Sequence, residues 1–582
     1  MITLPYMLSL TIYIMLKKYH TLILISILLL AAFLRLTAIS SGDPLTDEVG
    51  YAFRSVGLLD FDEAGDQTTP LEWFDPDIPS WTKLSFHDHP PLVFWVQHAF
   101  ITVFGERNFA FRFPSALLGI ASVYILYLIG RRLYDDDAGL LAAGIFAVTV
   151  NPVTISRLGL QEAYVMFFLL LSYYVFIRAR ENKSYLTVLG AILGLAFLTK
   201  YTLFVLIPIF GSYLLLFHRD YLWSRQLWIG AGIGTIIFSP VLLYNYHLWK
   251  TVGHFDFQLS YIFGQHPAVW QIAPGKEQFP TINARLASFV PNTIGFNSWI
   301  FLSMFAVSIM GFLFTCKKNC VEILRKHTLL LLSFGWILLL IIGLIGPSLR
   351  FISFLTPFMA LGIAYFLSTA IRKSNFRIGM RVGIISVFLL IEFLYSVNTQ
   401  LISYPYGAKL WTFSQSRFDN YAWGYNELNA YITKELDGRM PAFAFESQYA
   451  FISEIHKKSL TEAERAGKEP YPLLILYDRN IQSMGQLWIL DRLQIYHAWP
   501  VIPIDQYLSF LSEQGPDLFD RVGVTKTIII IPAEGIPLKT QKFLTPVGRN
   551  FENQLHASGI MPTRIIANKR GNEAFRIYEL TN

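Results

Sequence analysis

The chain has 582 residues, of which 53% are hydrophobic, 16% aromatic and only 15% charged. This composition is typical of a membrane protein with many spans and argues against a large soluble enzyme. The formal net charge of +6 comes from 47 Lys and Arg against 41 Asp and Glu. Of these cations, 17 stand in six clusters beside apolar stretches. The sequence gives little support to nucleic-acid binding, which would need a clustered basic face on a soluble domain.

Eleven apolar stretches are interpreted as membrane spans, because crossing roughly 30 Å of hydrocarbon takes about 20 helical residues. They lie near residues 20–38, 113–130, 138–155, 161–177, 185–199, 201–217, 227–246, 297–315, 328–346, 351–370 and 382–398. Six basic clusters alternate with the remaining loops: Lys17/Lys18, Arg131/Arg132, Arg178/Arg180/Lys183, Arg219/Arg225, Lys317/Lys318/Arg325/Lys326 and Arg372/Lys373/Arg377/Arg381. The positive-inside rule places these clusters and the N-terminus in the cytoplasm, and the residues after the last span outside it.

Residues 1–19 are predicted to form a separate N-terminal segment before a membrane domain at 20–398. The stretch Ile2 to Leu16 is apolar but short for a span, and it precedes Lys17 and Lys18 rather than following them, unlike a signal peptide. We therefore expect residues 1–14 to lie at the membrane surface. Cys316 and Cys320 fall in a predicted cytoplasmic loop, where no disulfide is expected, and two cysteines alone cannot complete a four-ligand zinc site.

The first outer loop, residues 39–112, carries the strongest chemical signal. Asp47 and Glu48 are adjacent acids just after the first span, where a carboxylate could act as a general base. Alternatively, Thr46 or Asp47 could simply cap a short helix whose macrodipole favours early carboxylates. Further along come His87-Asp88-His89-Pro90-Pro91-Leu92 and then Phe104-Gly105-Glu106-Arg107, with Arg112 at the mouth of the second span. The loop therefore presents acids, histidines and arginines on one membrane face.

These motifs resemble the polyprenyl-phosphate-sugar-dependent membrane glycosyltransferases of the GT-C superfamily, specifically the protein O-mannosyltransferase and aminoarabinose transferase group. The shared elements are, in order, the Asp-Glu pair, the His-Pro-Pro-Leu stretch and a Phe-Gly followed by Arg. The resemblance covers roughly residues 20–370, but neither the insert at 60–86 nor the C-terminal region. It implies a GT-C fold and makes Asp47 the expected catalytic base, with Glu48 as its substitute.

Lys200 and Arg350 break the charge pattern, because they lie at the outer ends of the fifth and tenth spans. Either could simply snorkel to the interface. Two cations there could instead clamp a lipid-linked phosphate, and the family's lipid-phosphate residues are similar in placement. We expect the phosphate clamp.

The short outer turn from Arg157 to Glu162 places a carboxylate where the family more often has aspartate. Glu162 could orient a substrate hydroxyl, hold a cation together with Asp47, or pair with Arg157, and the sequence leaves these roles open. The substrate-binding candidates are Tyr51, His89, Arg112, Arg157, Glu162, Lys200 and Arg350.

Metal binding is not determined by the sequence. Adjacent loop residues such as His87, Asp88 and His89 are not expected to point inward together without a turn, so His89 is assigned to shaping the site mouth and donating one hydrogen bond. Mg²⁺ or Mn²⁺ could neutralise a leaving phosphate, with Asp47 and Glu162 as candidate ligands. The second outer loop, 247–296, carries His254, Asp256, Tyr261, His266, Trp270, Lys276 and Arg285, without a residue that stands out.

Residues 399–582 are predicted to form a soluble α/β domain outside the cytoplasm. Short apolar runs at Leu473–Tyr477 and Thr527–Ile531 are typical of buried strands, and Gln506–Gln514 has helical spacing. The domain has no phosphate loop, nucleophile elbow or metal spacing, so catalysis is assigned to the membrane domain.

The sequence thus predicts a multi-pass inner-membrane glycosyltransferase that takes sugar from a polyprenyl-phosphate donor to an acceptor hydroxyl on a protein, lipid or polysaccharide. A transporter or flippase is the main alternative, although such proteins usually bind substrate near the bilayer midplane. A non-catalytic assembly factor on the same scaffold is a third. The sequence names neither the sugar nor the acceptor.

Overall fold

The computed structural model describes residues 4–61, 68–270, 279–373 and 377–581. They form two compact units. Unit 1 comprises residues up to Ile39, Lys83–Val96 and Phe109–Phe418, whereas unit 2 comprises Ser40–Thr82, Gln97–Asn108 and Asp419 onward. Much of the predicted first outer loop therefore clusters with the C-terminal residues.

The helices and strands are numbered in chain order. Helices α1 to α12 are Leu4–Leu36, Glu48–Gly57, Pro70–Trp73, Leu92–Phe104, Asn108–Leu133, Asp136–Val148, Val150–Arg157, Gln161–Glu181, Tyr185–Thr199, Leu206–Phe217, Arg225–Val252 and Phe257–Ile262. Helices α13 to α24 are Ile282–Gly295, Trp299–Leu340, Leu349–Ile352, Thr356–Lys373, Ile378–Gln400, Tyr425–Glu435, Ala450–Arg465, Ser483–Gln486, Arg492–His497, Ile504–Gln514, Leu518–Arg521 and Val547–Ala557. Strands β1 to β7 are Arg439–Pro441, Glu469–Tyr471, Leu473–Tyr477, Val501–Pro503, Lys526–Pro532, Arg564–Ala567 and Glu573–Thr581.

The polytopic helical fold is confirmed. Among the described residues, eight helices are long and apolar enough to cross a membrane. The pair of α6 and α7, bent by 60°, makes a ninth if it is counted as one span. The predicted spans 185–199 and 201–217 are also helical but shorter than 18 residues. Each of the eleven predicted stretches is thus helical, although fewer than eleven have the full length of a span.

The bend between α6 and α7 has an identifiable cause. Pro152 has no amide hydrogen to donate to the carbonyl of Val148, four residues earlier, and its ring disfavours a continuous helix there. The Oγ of Ser396 donates to that carbonyl at 2.5 Å. A neighbouring helix thus satisfies the backbone group that proline leaves without a partner.

The 42 residues of α14 are all helical, but the chain reverses direction within this stretch, so that two helical arms lie side by side. The rings of Phe305 and Phe334 lie 6.1 Å apart, and those of Phe312 and His327 lie 5.7 Å apart. These pairs place the reversal near residue 319, where the side chains of 317–320 lie outside the description. The predicted connection between the eighth and ninth spans is therefore a helical hairpin and not an open loop.

The loops that carry four of the six predicted basic clusters meet at one end of the unit 1 bundle. Arg132 pairs with Glu181 at 2.9 Å, and Lys183 pairs with Asp220 at 2.6 Å. Arg372 and Asp135 are joined at 2.5 Å. These ion pairs connect helix ends that the charge pattern assigned to the same membrane face, so the alternation of loops is reflected in the structure.

The N-terminal segment differs from the expectation. The backbone from Leu4 to Leu36 forms one helix of 33 residues, about 50 Å long at 1.5 Å per residue. Residues 4–14 thus continue the first spanning helix in register, without a break that would let them turn along the surface.

Helices α9 and α11 pack with their backbones in contact through glycines spaced by four residues. A Cβ added to Gly190 would lie 2.0 Å from the carbonyl oxygen of Gly230, and one added to Gly194 would lie 2.7 Å from that of Gly234. Close approach through small residues is a common way to join helices in a membrane. Glycine is needed at these positions because a methyl group has no room.

We expect Gly190→Ala to lower the free energy of unfolding by about 1–3 kcal/mol, because the added methyl group overpacks the α9–α11 contact. Gly232→Ala is the matched control, since Gly232 lies on α11 and a Cβ there meets nothing within 4 Å. Thermal unfolding in detergent measures both. A Gly190→Ala melting temperature equal to that of Gly232→Ala would contradict the packing argument.

Unit 2 contains the predicted α/β fold. Its main sheet has the order β4-β3-β5-β7-β6, with β4, β3 and β5 parallel and β7 antiparallel to β5. All five residues of β3 are buried, as expected for a strand covered on both faces. A separate parallel pair joins β1 and β2. The strand predictions at 473–477 and 527–531 and the helix at 506–514 are confirmed.

Candidate functional site

The acidic pair lies in unit 2, at the start of α2. Asp47 occupies the N-cap position and is exposed, but its side chain does not bond to the first amides of the helix. Thr46 Oγ1 accepts from the Glu48 amide at 3.5 Å. Glu48 is fully buried, and Tyr51 is 5% exposed. The Asp47 carboxylate therefore does not cap α2. Of the two adjacent acids, Asp47 is exposed and Glu48 is buried.

Lys200 and Glu162 form a buried ion pair in unit 1. Lys200 Nζ lies 2.7 Å from Glu162 Oε1, and the two side chains are 6% and 0% exposed. Lys200 caps the end of α9 with extended backbone, while Glu162 lies in the first turn of α8. Ending α9 at this residue aims its ammonium group at the start of α8.

Arg350 joins the same cluster through an aromatic ring. Lys200 Nζ lies 5.4 Å from the centroid of the Phe351 ring, and Arg350 Cζ lies 5.7 Å from it. The structure therefore brings together Lys200, Arg350 and Glu162, which the sequence selected from three separate loops. We call these three residues with Phe351 the cation cluster.

Arg157 does not form the ion pair with Glu162 that the sequence offered as one alternative. It donates to the carbonyls of Leu34, Thr37 and Ala38 at 2.6, 2.8 and 3.4 Å, and it forms no ion pair with Glu162. Arg112 donates to the carbonyl of Ile39 at 3.0 Å. Both arginines thus hold the C-terminal end of α1, where a helix leaves carbonyls without partners. Their predicted contact with substrate stays a prediction.

The His87-Asp88-His89 motif does converge, contrary to the expectation for adjacent loop residues. Asp88 Oδ2 lies 2.9 Å from His89 Nδ1, and Asp88 Oδ1 lies 4.0 Å from His87 Nδ1. Bends in the chain from Ser85 to Pro90 bring the three side chains to one place. The side chains of Asp88 and His89 are each 14% exposed, whereas His87 is fully buried. The predicted place of His89 at a site mouth stays a prediction.

The loop after α11 packs beside this motif within unit 1. The Trp270 ring stacks on His87 at 6.1 Å and meets His254 edge-on at 4.7 Å. Asp256 is fully buried and accepts from Tyr201 Oη at 2.5 Å and from Asn245 Nδ2 at 2.9 Å. Burial raises the pKa of Asp256 to about 6. Lys276, also named from this loop, lies outside the described residues.

Three buried polar atoms in or beside the cation cluster have no hydrogen-bond partner in the part of the chain that the structure describes. They are Glu162 Oε2 and both amide atoms of Gln161. Native proteins rarely leave such groups unpaired, and a ligand or water is a common explanation. Gln161 was not selected from the sequence, because a single glutamine at the start of an apolar stretch carries no distinguishing signal.

Part of the chain is similar in sequence to proteins named as glycosyltransferases. Residues 88–244 match the family model described as dolichyl-phosphate-mannose-protein mannosyltransferase. YycA of Bacillus subtilis (strain 168), whose name describes a mannosyltransferase, is 31% identical over 159 residues, which are 27% of this chain and 22% of YycA. An undecaprenyl phosphate-α-4-amino-4-deoxy-L-arabinose arabinosyl transferase of Pseudomonas aeruginosa (strain LESB58) is 28% identical over 172 residues, covering 28% of this chain and 30% of that protein. The aligned segments are thus less than a third of these relatives' lengths.

A solved structure extends the likeness to nearly the whole chain. The apo structure of ArnT from Cupriavidus metallidurans superposes with a TM-score of 0.52 at 12% identity and covers 96% of this chain and 98% of that one. The chain has the GT-C fold. The fold predicted from the resemblance is therefore confirmed, including the C-terminal residues that the resemblance did not cover.

Within the GT-C fold, the family-model match includes His89, Glu162 and Lys200 but ends before Arg350 and begins after Asp47. Glu162 and Lys200 of the cation cluster thus lie in the segment that matches the family model, whereas Arg350 and Phe351 lie outside it.

Proposed function

We propose that this protein is an inverting glycosyltransferase that transfers a monosaccharide from a polyprenyl-phosphate carrier to an acceptor hydroxyl on the outer face of a bacterial-type inner membrane. The observation that carries the proposal is the cation cluster. Lys200 and Arg350 gather on one aromatic ring beside a buried carboxylate. Two cations held in an apolar setting suit a lipid-linked phosphate, which is anionic and lies at the membrane.

The reaction would need one base and one set of cations. In the proposed step, the acceptor oxygen attacks the anomeric carbon as the bond from that carbon to the phosphate oxygen breaks, with inversion. Asp47 takes the acceptor proton, and the bonding electrons leave with the polyprenyl phosphate. Lys200 and Arg350 stabilise the charge on that leaving group.

An apolar cavity supports the choice of a polyprenyl carrier. It lies among α8, α9, α10 and α11 and is lined in part by Gly190, Gly194, Phe197 and Phe204. Phe197 and Phe204 stand three and four residues from Lys200. A hydrocarbon chain in this cavity would therefore start close to a proposed phosphate-binding residue.

The names of relatives support the substrate class but not one sugar. The solved ArnT from Cupriavidus metallidurans also exists bound to undecaprenyl phosphate, with a TM-score of 0.50 at 14% identity. A lipid A galacturonosyltransferase, RgtD of Rhizobium johnstonii, is 23% identical over 215 residues, which are 44% of that protein. Mannosyl, arabinosyl and galacturonosyl names thus occur among the relatives, so the proposal covers the lipid-linked monosaccharide class.

We propose a divalent cation only as a bound ion that stabilises the leaving phosphate. Glu162 Oε2 is buried without a partner among the described side chains, so one carboxylate oxygen remains for Mg²⁺ or Mn²⁺ or for a donor hydroxyl. Asp47 is the other candidate ligand. Such an ion would supply electrostatic stabilisation of the phosphate.

The proposed function is tested by incubating the purified full-length protein with a panel of polyprenyl-phosphate sugars and candidate acceptors. We expect free polyprenyl phosphate to appear with at least one donor, together with a glycosylated acceptor. Movement of an intact lipid-linked sugar across a proteoliposome membrane, with no phosphate released, would favour the flippase instead. EDTA in the same assay tests the need for a metal.

The orientation is tested with a C-terminal reporter. We expect alkaline phosphatase fused after Asn582 to be active, because the basic clusters place the opposite ends of the spans outside the cytoplasm. A fluorescent reporter that folds only in the cytoplasm should stay dark at the same point. The opposite pair of results would overturn the assigned orientation.

A further inference from the structure

The segment from Ser40 to Gly57, which we call the acidic loop, is anchored to C-terminal residues within unit 2. Before Asp47, the buried Asp43 carboxylate accepts the amides of Trp423, Gly424 and Asn426 at 2.6, 3.1 and 2.9 Å. These amides lie at the start of α18, where a helix end favours an anion. The acidic loop is thus fixed four residues before its proposed catalytic base.

A second anchor holds α2 after Asp47. Tyr496 Oη, on α21, donates to the carbonyl of Phe53 at 2.7 Å, and the two rings lie 5.0 Å apart. A Cβ added to Gly57 would lie 2.6 Å from the Tyr496 ring. The last turns of α2 are therefore seated against one side chain of α21.

The third anchor starts from the same short helix. Arg492 Nη1 lies 2.6 Å from Glu106 Oε2, and His497 Nε2 lies 2.9 Å from the same oxygen. Burial alone would raise the pKa of Glu106, but the hydrogen bond from His497 and the charge of Arg492 hold it at about 2. Glu106 is therefore ionised across the physiological range.

Glu106 follows the end of α4, and α4 in turn touches α2. His98 Nδ1 lies 2.8 Å from the carbonyl of Ser55, and Ser55 Oγ lies 3.3 Å from Gln97 Oε1. Helix α21 thus holds α2, whose N-cap is Asp47, in two ways. Tyr496 contacts α2 directly, and Arg492 and His497 bind Glu106, which follows the end of α4.

We propose that Arg492, Tyr496 and Glu106 are positioning residues that set the place of Asp47 for proton transfer, so that the C-terminal domain takes part in catalysis by holding the acidic loop. This proposal rests on the proposed function, in which Asp47 is the base. A general base must lie within hydrogen-bond reach of its proton. Misplacement by about 1 Å can lower the rate about 100-fold without touching the donor site.

The variants Tyr496→Phe and Arg492→Met test the proposal in the full-length enzyme. Tyr496→Phe removes one hydroxyl and keeps the ring, so we expect the fold to be retained. We expect kcat to fall about 10- to 100-fold, with the KM for the donor changed by less than about twofold, because the cation cluster is untouched. Arg492→Lys should recover part of the kcat lost in Arg492→Met, since it keeps a cation for Glu106.

Hydrogen exchange supplies a readout that does not depend on turnover. Amides of residues 48–57 should exchange faster in Tyr496→Phe and Arg492→Met than in the parent protein. Arg576→Met is the matched control, because Arg576 pairs with Glu552 in the same unit at 2.5 Å and makes no bond to the acidic loop among its described contacts. It should leave both kcat and the exchange of 48–57 near the parent values.

Faster exchange with unchanged kcat would overturn the positioning role, and so would equal losses in Arg576→Met, which would indicate a general loss of stability. Unchanged exchange in both anchor variants would overturn the anchoring itself. Failure of the proposed function is recognised separately. An active Asp47→Asn variant would remove Asp47 as the base, whatever the exchange experiment shows.

Discussion

Replacement of Asp47 by asparagine should nearly abolish sugar transfer while leaving membrane insertion and donor binding intact. The amide keeps the shape of the side chain but cannot accept the acceptor's proton. General-base catalysis commonly contributes about 10²- to 10⁴-fold to the rate, so kcat should fall by that amount. Because Asp47 is exposed and asparagine keeps the size of its side chain, the substitution should cost little stability.

Glu48→Gln is the comparison variant. Glu48 is fully buried, so its substitution should act mainly through folding and should reduce activity less than Asp47→Asn does. Release of polyprenyl phosphate in single turnovers, together with a melting curve for each variant, separates the two effects. Full activity in Asp47→Asn beside a folded but inactive Glu48→Gln would transfer the role of base to Glu48.

Replacement of Lys200 by methionine should have the second large effect, and it should act on both stability and donor use. Glu162 would keep its buried carboxylate without the ammonium group that lies 2.7 Å away. Breaking one side of a buried ion pair commonly costs about 3–5 kcal/mol. Loss of a charged hydrogen bond to the donor phosphate would weaken the binding of the donor by about 1.5–3 kcal/mol.

The double variant Lys200→Met/Glu162→Gln separates these contributions. It removes the uncompensated charge, so the melting temperature should return toward that of the parent protein, whereas the KM for the donor should stay high. Arg350→Met should raise the KM for the donor in the same way, with acceptor dependence unchanged. Folded variants of Lys200 and Arg350 with normal donor dependence would show that neither binds the phosphate.

The membrane architecture followed from the sequence because hydropathy and loop charge are local properties. The ion pairs of Arg132 with Glu181 and of Lys183 with Asp220 lie where the alternation of basic clusters places them. The strand at Leu473–Tyr477 was likewise predicted from an unbroken apolar run. The full length of each span did not follow in the same way, since α9 and α10 fall short of a full crossing length and the α6–α7 span bends near Pro152.

The sequence also selected Lys200, Arg350 and Glu162, because charged residues at the wrong end of a span are conspicuous. It could not decide which charges meet. Glu162 pairs with Lys200 rather than with Arg157, which lies only five positions away, because the fold places the start of α8 beside the end of α9. Arg157 is instead satisfied by carbonyls at the end of α1, more than a hundred residues earlier.

By itself, therefore, the sequence determined the membrane class, the alternation of loops and the identity of the chemically distinctive residues. Only the tertiary structure decided that the acidic loop belongs to the same compact unit as the C-terminal sheet. The bonds that establish this join Asp43 to Asn426 and Phe53 to Tyr496, across more than 380 residues. Contacts of that separation leave no periodic or compositional trace in a single sequence, because each partner is an ordinary loop or helix residue until the chain folds.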